Sequence, residues 1–376
     1  MGINYPILPT KEGLMAESAS KKERARRETR RRFEQWARNP ECQSNVVSAV
    51  HNVKMGVAAR RENPGAPREG QSVYALERGV TFEASLLTDK GKKLLGALRE
   101  SGVLAAGSKK FADHRTKANG GTVADLDAAV DLGHEFLMAL ANGKDFDGAV
   151  SSLTVRIPRG IMLPEATLII DVLAVQSDSD LPTIAVGEVK TYADQGGHTH
   201  RSDLATARAQ MGLYVHALEV TLDGLGIADK IEVSNDGFLI LTYPGSNQPS
   251  VRSGEDLRFQ RERARRGFEL MEQSALLLNG EYGVGDETDS EDLLKLVLEA
   301  PTSFQDSCLA FCERADACYQ KALDNGDGVA LGNDVQRFLN GISLHRTDEL
   351  MNGARPKNDA ERDLLKRLAE QLPELP

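Results

Sequence analysis

This 376-residue sequence has few cysteines, no long apolar runs and no net positive charge. No window approaches the stretch of about 20 apolar residues that crosses a bilayer. The N-terminal segment lacks the basic and then apolar pattern of a secretory signal peptide. These two absences predict a cytoplasmic protein with no membrane association.

The formal net charge is −10 and the pI is about 5.4, which excludes a surface that is basic throughout. Any nucleic-acid binding must therefore rest on local basic segments. Two are present, Lys21–Arg32 and Arg258–Arg266. The first lies in a predicted basic helix over residues 19–39, which is either a solvated helix or a DNA contact.

The sequence has only four cysteines, and their positions are uneven. Cys42 lies near the N-terminus, whereas Cys308, Cys312 and Cys318 form a C-x3-C-x5-C run. Cytosolic proteins have little use for structural disulfides. The arrangement therefore indicates a metal or cluster site.

Two apolar segments joined by a polar turn occupy residues 168–190 and are predicted to be paired strands. Asp171 interrupts the first segment, and the second ends in Glu188-Val-Lys190. Residues two apart in a strand share a face, so Glu188 and Lys190 project together, and a hairpin brings Asp171 beside Glu188. Two close carboxylates favour a cation between them, and oxygen ligands suit Mg²⁺ or Mn²⁺. From these residues alone, a metal site and a structural charge pair are equally supported.

The remaining pattern predicts a mixed sheet with helices on both sides. Gly79 and Glu83 are four apart on a predicted helix over residues 72–87, where Glu83 is either a site residue or an exposed helical glutamate. Gln210 and Tyr214 share a face of a helix over residues 203–219 that Ser202 or Asp203 is expected to cap. The other predicted elements are two or three helices within 90–142, strands at 145–157 and 238–243, a helix over 253–280 and a final helical region that carries three cysteines.

This combination resembles the RecB-like branch of the PD-(D/E)XK nuclease superfamily. The matching motifs, in the family's order, are Gly79-x3-Glu83, Asp171 after an apolar strand, Glu188-Val-Lys190 and Gln210-Met-Gly-Leu-Tyr214. The Q-x3-Y motif distinguishes the RecB-like branch. The resemblance differs at one motif, because Glu83 stands where the family often has a histidine.

The cysteines extend the resemblance over nearly the whole chain. CRISPR-associated adaptation exonucleases and the nuclease domain of AddB-type helicase–nucleases have one cysteine before the nuclease core and three after it, and these bind a [4Fe–4S] cluster. Here the first gap is C-x3-C rather than the usual C-x2-C. Four thiolates suit a [4Fe–4S] cluster or zinc. Spacing alone favours zinc, whereas the resemblance favours the cluster.

The resemblance implies a restriction-endonuclease-like α/β fold with N- and C-terminal helical regions joined by the cluster. It implies a basic helical region at 1–70, a nuclease core at 71–250 with a helical insertion at about 90–142, and a C-terminal helical region at 251–376. Asp171, Glu188 and the Val189 carbonyl would bind Mg²⁺ or Mn²⁺, with Glu83 as a direct or water-mediated ligand. Lys190 would activate water, while Gln210 and Tyr214 would hold DNA and brace the site.

The leading hypothesis is a DNA exonuclease or flap-type endonuclease acting on single strands or free ends, in repair, recombination or anti-phage defence. The sequence has no G-x4-G-K-[ST] motif, so any ATP-driven unwinding would come from a partner such as a helicase or a defence-system protein. One alternative is a non-cleaving or partner-activated nucleic-acid-binding module with zinc in place of the cluster. Another is a zinc-stabilised structural protein.

Overall fold

The computed structural model describes residues 28–64, 73–115, 125–157, 166–177, 181–282, 288–305, 308–309 and 312–371. The segment Lys21–Arg27 of the first basic run lies outside these residues. None of the described helices combines the length and the apolar character that a membrane crossing requires.

The fold is mixed α/β, with a seven-stranded mixed sheet among the described residues and helices around it. The strands are β1 (Lys110–Asp113), β2 (Gly148–Arg156), β3 (Thr167–Gln176), β4 (Thr183–Ala193), β5 (Glu232–Val233), β6 (Asp236–Thr242) and β7 (Pro249–Asp256). The helices are α1 (Thr29–Arg38), α2 (Gln43–His51), α3 (Met55–Glu62), α4 (Val73–Glu100), α5 (Leu126–Ala141), α6 (Arg201–Gly224), α7 (Arg258–Tyr282), α8 (Ser290–Glu299), α9 (Ala315–Asp324), α10 (Asn333–Leu339), α11 (Leu344–Met351) and α12 (Asp359–Gln371).

The sheet runs in the order β1-β2-β3-β4-β6-β7, with β5 beside the start of β4. The strands β2, β3 and β4 form an antiparallel meander, which contains the predicted hairpin of β3 and β4. The strand β6 is parallel to β4, so α6 is the crossover that connects them. This topology puts the carboxyl ends of β4 and β6 side by side at the same end of the sheet.

Helices cover both faces of the sheet at its centre. Phe82 and Leu86 of α4 pack in one apolar cluster with Val172 of β3 and Ile240 of β6. Asp171 precedes Val172 and therefore points to the opposite face, where Tyr214 of α6 contacts it. The prediction of helices on both sides of a mixed sheet is confirmed.

Three details of the predicted secondary structure were wrong. Residues 110–113, inside the predicted helical insertion, form β1, and residues 249–256, which include the predicted start of a helix at 253, form β7. Both are edge strands, which have one neighbour and lack a strong apolar pattern. The residue that caps α6 is His200 rather than Ser202 or Asp203, and it makes no side-chain cap hydrogen bond.

The helix α4 consists of two helical pieces. The first ends where the sequence predicts, since Thr88 has a ψ angle of 157° and Asp89, Lys90 and Gly91 all have positive φ angles. The piece after this kink continues to Glu100. The interruption changes the direction of the backbone between the part of α4 that carries Glu83 and the part that carries the buried Leu94 and Leu98.

The chain divides into two compact units. Unit 1 comprises Met1–Phe33 and Gln71–Leu277 and contains the sheet, and unit 2 comprises Glu34–Gly70 and Leu278–Pro376. Unit 2 is helical among the described residues, and part of its core is a cluster of Leu339, Leu350 and Leu364. It combines segments from both ends of the chain.

Candidate functional site

The register of β3 and β4 brings the two predicted carboxylates together. Val172 pairs with Gly187 in the antiparallel ladder, so Asp171 and Glu188 are the next residues opposite each other in this register. The Val189 backbone N–H donates a hydrogen bond to Asp171 Oδ2 at 3.0 Å. The sheet itself therefore fixes Asp171 relative to the Glu188-Val189-Lys190 segment.

Glu188 is fully buried, and its two carboxylate oxygens differ in their contacts. Oε1 accepts a hydrogen bond and an ion pair from the Lys190 ammonium. Oε2 is buried and has no hydrogen-bond partner among the described residues. A buried carboxylate oxygen without a donor is costly, so this atom favours a proton, a cation or the Tyr214 hydroxyl, which also interacts with Glu188.

Burial, and then the negative charge of Asp171, raise the pKa of Glu188 to about 8 against the opposing effect of Lys190. Burial lowers the pKa of Lys190, but the charges of Glu188 and Asp171 outweigh that effect, so this pKa lies above its ordinary value. The lysine is therefore a cation and Glu188 holds a proton at neutral pH when no metal is bound. The site has the electrostatics of two carboxylates that compete for one positive charge.

Gln210 and Tyr214 of α6 approach the carboxylates from one face of the sheet. Gln210 Nε2 donates to Tyr214 Oη at 2.6 Å, and Tyr214 Oη donates to Asp171 Oδ1 at 3.3 Å. Arg30 of α1 donates to Gln210 Oε1. This relay from Arg30 to Asp171 holds the second oxygen of the aspartate, and burial raises the pKa of Tyr214 so that it remains a donor.

Glu83 lies on α4, near enough to Asp171 for the two carboxylate charges to interact. Burial, and then the charge of Asp171, raise the pKa of Glu83 to about 7, while Arg115 and Lys190 oppose them. Arg115 follows β1 and forms a bidentate ion pair with Asp113, with closest atoms 2.6 Å apart. Glu83 therefore borders the carboxylate site on one side and an arginine on the other.

The residues that the sequence predicts as metal ligands would all bind a metal through oxygen atoms. Asp171, Glu188 and Glu83 supply carboxylates, which suit Mg²⁺ or Mn²⁺, and the orphaned Glu188 Oε2 is an oxygen that a cation would satisfy. No group of three or more His, Cys, Asp or Glu side chains in the described part of the chain has a spacing that could hold a metal ion. The Val189 carbonyl stays a predicted ligand.

The four cysteines line one small cavity in unit 2. Cys318 lies in α9, Cys308 lies in a short 3₁₀ segment, and Cys312 lies between them outside any helix. The predicted helical region is therefore interrupted at Cys312, although Cys312 N donates to Cys308 O at 2.9 Å and thereby forms a single turn. That turn brings the two cysteines to the same cavity.

Two polar side chains surround the thiols. Asn39 Nδ2 donates to Cys308 Sγ at 3.4 Å. Arg314, which is 5% exposed, forms a bidentate ion pair with Glu62 and also donates to Ser44 Oγ at 2.6 Å. Burial raises the pKa of the Cys312 thiol to about 12. Burial also raises the pKa of Cys318, so these two thiols are protonated without a ligand, and a bound cationic group would deprotonate them.

Much of the second basic segment is paired with carboxylates. Arg258 pairs with Asp256, while Arg261, Arg265 and Arg266 pair with glutamates of α6 and α7. These pairs reduce the local positive charge that the sequence suggests. Of the first basic segment, Arg30 contacts the site residue Gln210.

Two groups of site residues were not recognised from the sequence. The basic run contains Arg30, but no local signal connects it with Gln210, which lies 180 residues away. Asp113 and Arg115 were missed because the strand that carries them was not predicted. Ser151 of β2 also belongs to this group, since its hydroxyl donates to Asp113 Oδ1 at 3.0 Å.

Comparisons with known proteins give little. No protein-family model matches the chain, and no curated protein matches it significantly. A crystal structure of a protein named SSO0001 is similar at 12% sequence identity, with 59% of this chain and 84% of that chain covered and a TM-score of 0.21. No inference about fold or function rests on a similarity of this size.

Proposed function

We propose that this chain is a Mg²⁺- or Mn²⁺-dependent deoxyribonuclease with a restriction-endonuclease-like core of the RecB-like branch. The observation that supports it most is the buried Glu188, whose Oε2 has no partner among the described residues and whose neighbours are Asp171 and Lys190. Its substrate would be DNA with single strands or free ends. A helicase or a defence-system protein would be a suitable partner.

Asp171 and Glu188 would hold the metal, with the Val189 carbonyl and Glu83 as further ligands. When bound, Mg²⁺ or Mn²⁺ supplies charge neutralisation and polarises a phosphoryl oxygen. The remaining chemistry belongs to the chain. Since Glu83 and Glu188 have raised pKa values, each binds a proton in competition with the metal.

The other side chains position the reacting groups. Lys190 carries a positive charge beside Glu188 and would orient an attacking water or stabilise charge that develops on the phosphate. Tyr214 and Gln210 would keep Asp171 in its orientation through their hydrogen bonds. Arg30 would hold Gln210 and contribute positive potential at the edge of the site.

The four cysteines would hold a [4Fe–4S] cluster with a structural role. The donor set fits, because four thiols line a single cavity and Asn39 donates to one of them. The cluster would connect the segment that contains Cys42 with the segment that contains Cys308, Cys312 and Cys318. Zinc at the same thiols is the alternative, and metal analysis of anaerobically purified protein distinguishes them.

The test is cleavage of end-labelled single-stranded DNA in Mg²⁺ or Mn²⁺ by the wild type, Glu188→Gln and Lys190→Ala. Each change should reduce the rate at least about 1,000-fold, because it removes a metal ligand or a charge at the phosphate. Glu135→Gln and Lys230→Ala alter exposed side chains of the same types and should leave the rate unchanged.

Activity that survives both site substitutions would contradict the proposal. A wild type that binds DNA and cleaves none, with either metal, would instead select the non-cleaving or partner-activated binding module. Circular dichroism of each variant separates loss of chemistry from loss of fold.

A further inference from the structure

A cavity of about 290 Å³ lies in unit 1 at the carboxyl ends of β4 and β6. It is lined by Thr191 and Ala193 of β4, by Arg78 of α4, and by the loop that joins β6 to β7. Its volume is close to the lower limit for small-ligand pockets. The proposed catalytic residues do not line it, so it is a separate place for a ligand to bind.

Tyr243 lies in that loop and exposes 53% of its surface. The loop is well defined, because Tyr243 N donates to Gln248 O at 3.0 Å and Ser246 N donates to Tyr243 O at 3.1 Å. Gly245 has a φ angle of 71°, which allows the tight turn. The aromatic ring is therefore held at the surface by a short, hydrogen-bonded loop.

Arg78 supplies positive charge to the same cavity. Its Nη2 donates to Thr191 O at 3.1 Å and to Thr191 Oγ1 at 3.2 Å, which fixes the guanidinium against the end of β4. A guanidinium has five N–H donors, so these contacts leave donors for an anion. Among the described residues that line this cavity, none is Asp or Glu.

A second cavity, of about 570 Å³, is lined by the same Tyr243. Lys92 and Lys93 line it, and Lys93 Nζ donates to Asn247 O at 2.8 Å. Asp89 and Glu100 line it as well, so its charge is mixed. Tyr243 therefore separates a basic cavity from a larger mixed one.

These cavities adjoin the carboxylate site along two elements. Thr191 directly follows Lys190 in β4. Arg78 and Glu83 are five residues apart on α4, which is about 7.5 Å along the helix axis. Neighbouring residues of a strand point to opposite faces, so a chain of nucleotides that runs from the carboxylates to this cavity passes around the end of β4 to reach Arg78 and Tyr243.

We infer that this surface binds a single strand of nucleic acid that continues from the cleavage site, with a base stacked on Tyr243 and a phosphate held by Arg78. An exposed aromatic ring beside a positive side chain is what sequence-independent single-strand binding uses. A duplex keeps its bases stacked on each other and offers none to the ring. The inference rests on the proposed nuclease function and narrows its substrate to single strands.

The test is fluorescence anisotropy with a labelled oligothymidine of about 12 nucleotides, in EDTA so that cleavage is prevented. Tyr243→Ala should weaken binding at least about fivefold, since stacking of a base on an aromatic ring contributes about 1–3 kcal/mol. Tyr243→Phe keeps the ring and should bind as the wild type does. Phe259→Ala removes another exposed aromatic of unit 1, 73% exposed and outside both cavities, and should change nothing.

Arg78→Ala should weaken binding and reduce the slope of log affinity against log salt by about 0.7, the value for one phosphate contact on a single strand. Binding of an unlabelled duplex should be insensitive to Tyr243→Ala. An oligoribonucleotide of matched length shows whether the site binds DNA alone or both DNA and RNA. A Tyr243 effect on at least the DNA strand is what the inference requires.

Wild-type affinity in Tyr243→Ala would overturn the inference. If Glu188→Gln abolished cleavage in the same preparations, the nuclease assignment would still stand. In the opposite result, the wild type would cleave nothing, and Tyr243→Ala would still weaken the binding of single strands. The nuclease proposal would then fail, and the binding surface would remain.

Discussion

The two candidate sites of this chain are built in different ways. The carboxylate site in unit 1 lies on central strands, and its orientation follows from the pairing of Val172 with Gly187 and from the hydrogen bond between Val189 and Asp171. The cysteine site in unit 2 lies on a short turn, an irregular segment and the first turn of a helix. Only the first is held by a ladder of backbone hydrogen bonds.

This difference determines what each site requires from its ligand. The carboxylates are kept together by the fold despite their repulsion, and they respond with raised pKa values. The thiols are brought together by loops, and burial keeps Cys312 and Cys318 protonated. We therefore expect the proposed Mg²⁺ to bind to strands that are already folded, whereas the proposed cluster contributes to folding itself.

The largest expected effect is the loss of structure in unit 2 when a thiol is removed. Cys312→Ser should eliminate the bound metal and unfold the region around the cysteines. Structural metal sites contribute about 10–16 kcal/mol in small zinc domains, which is comparable to the whole free energy of unfolding of a domain. Hydrogen exchange with mass spectrometry should show lost protection in peptides of unit 2 and retained protection in β3 and β4.

Leu309→Ala is the matched control, because this neighbour of Cys308 is 55% exposed and should be dispensable. Retained protection in unit 2 of a metal-free Cys312→Ser protein would mean that its fold does not depend on the thiols. The contrast between the two sites would then be wrong.

The parts of the carboxylate site that follow local patterns were predictable from the sequence. Alternation in residues 168–190 gives two strands, and a short turn between them gives the antiparallel pairing that joins Asp171 to Glu188. Four-residue spacing puts Gln210 and Tyr214 on one helix face, and the structure links them by a hydrogen bond. These interactions are close in sequence or follow from periodicity.

The parts that were missed depend on contacts that no local pattern encodes. The strands β1 and β7 occupy the two ends of the sheet order, and their mostly polar residues are partly exposed, so they owe their structure to a single neighbouring strand. Arg30 reaches Gln210 across 180 residues of sequence. Its role could be found only after the fold had brought α1 to α6.

The next effect tests whether packing in unit 1 holds the carboxylate site. Gly187 precedes Glu188, and a Cβ atom added there would lie 2.1 Å from the Phe238 ring, which is buried between β6 and α4. Gly187→Ala should therefore displace β4 or the ring and lower the free energy of unfolding by about 1–3 kcal/mol. Thermal denaturation measures the loss, and cleavage assays should show a reduced rate.

Gly79→Ala is the opposite case, because nothing lies within 4 Å of an added Cβ in this helical position. It should stabilise unit 1 by about 0.5–1 kcal/mol through helix propensity. If both alanine variants had the same stability as the wild type, close packing at Gly187 would not be what fixes the strand.

The last effect is the pH dependence that Glu188 gives to the metal-free protein. Its pKa is about 8 in the folded chain and near 4.5 when unfolded, so the folded state binds more protons between these values. Stability from this group is complete below about pH 4.5 and is lost as the pH rises through about 8.

Glu188→Gln removes this dependence, so in EDTA the variant should exceed the wild type in Tm near pH 8 but not near pH 5. The gain should be only about 1–2 kcal/mol, because the substitution also removes the ion pair with Lys190. Addition of Mg²⁺ should reverse the order by stabilising the wild type alone. A Tm difference that is the same at every pH would mean that the unpartnered Oε2 holds no proton, and that the carboxylates are not poised for a metal.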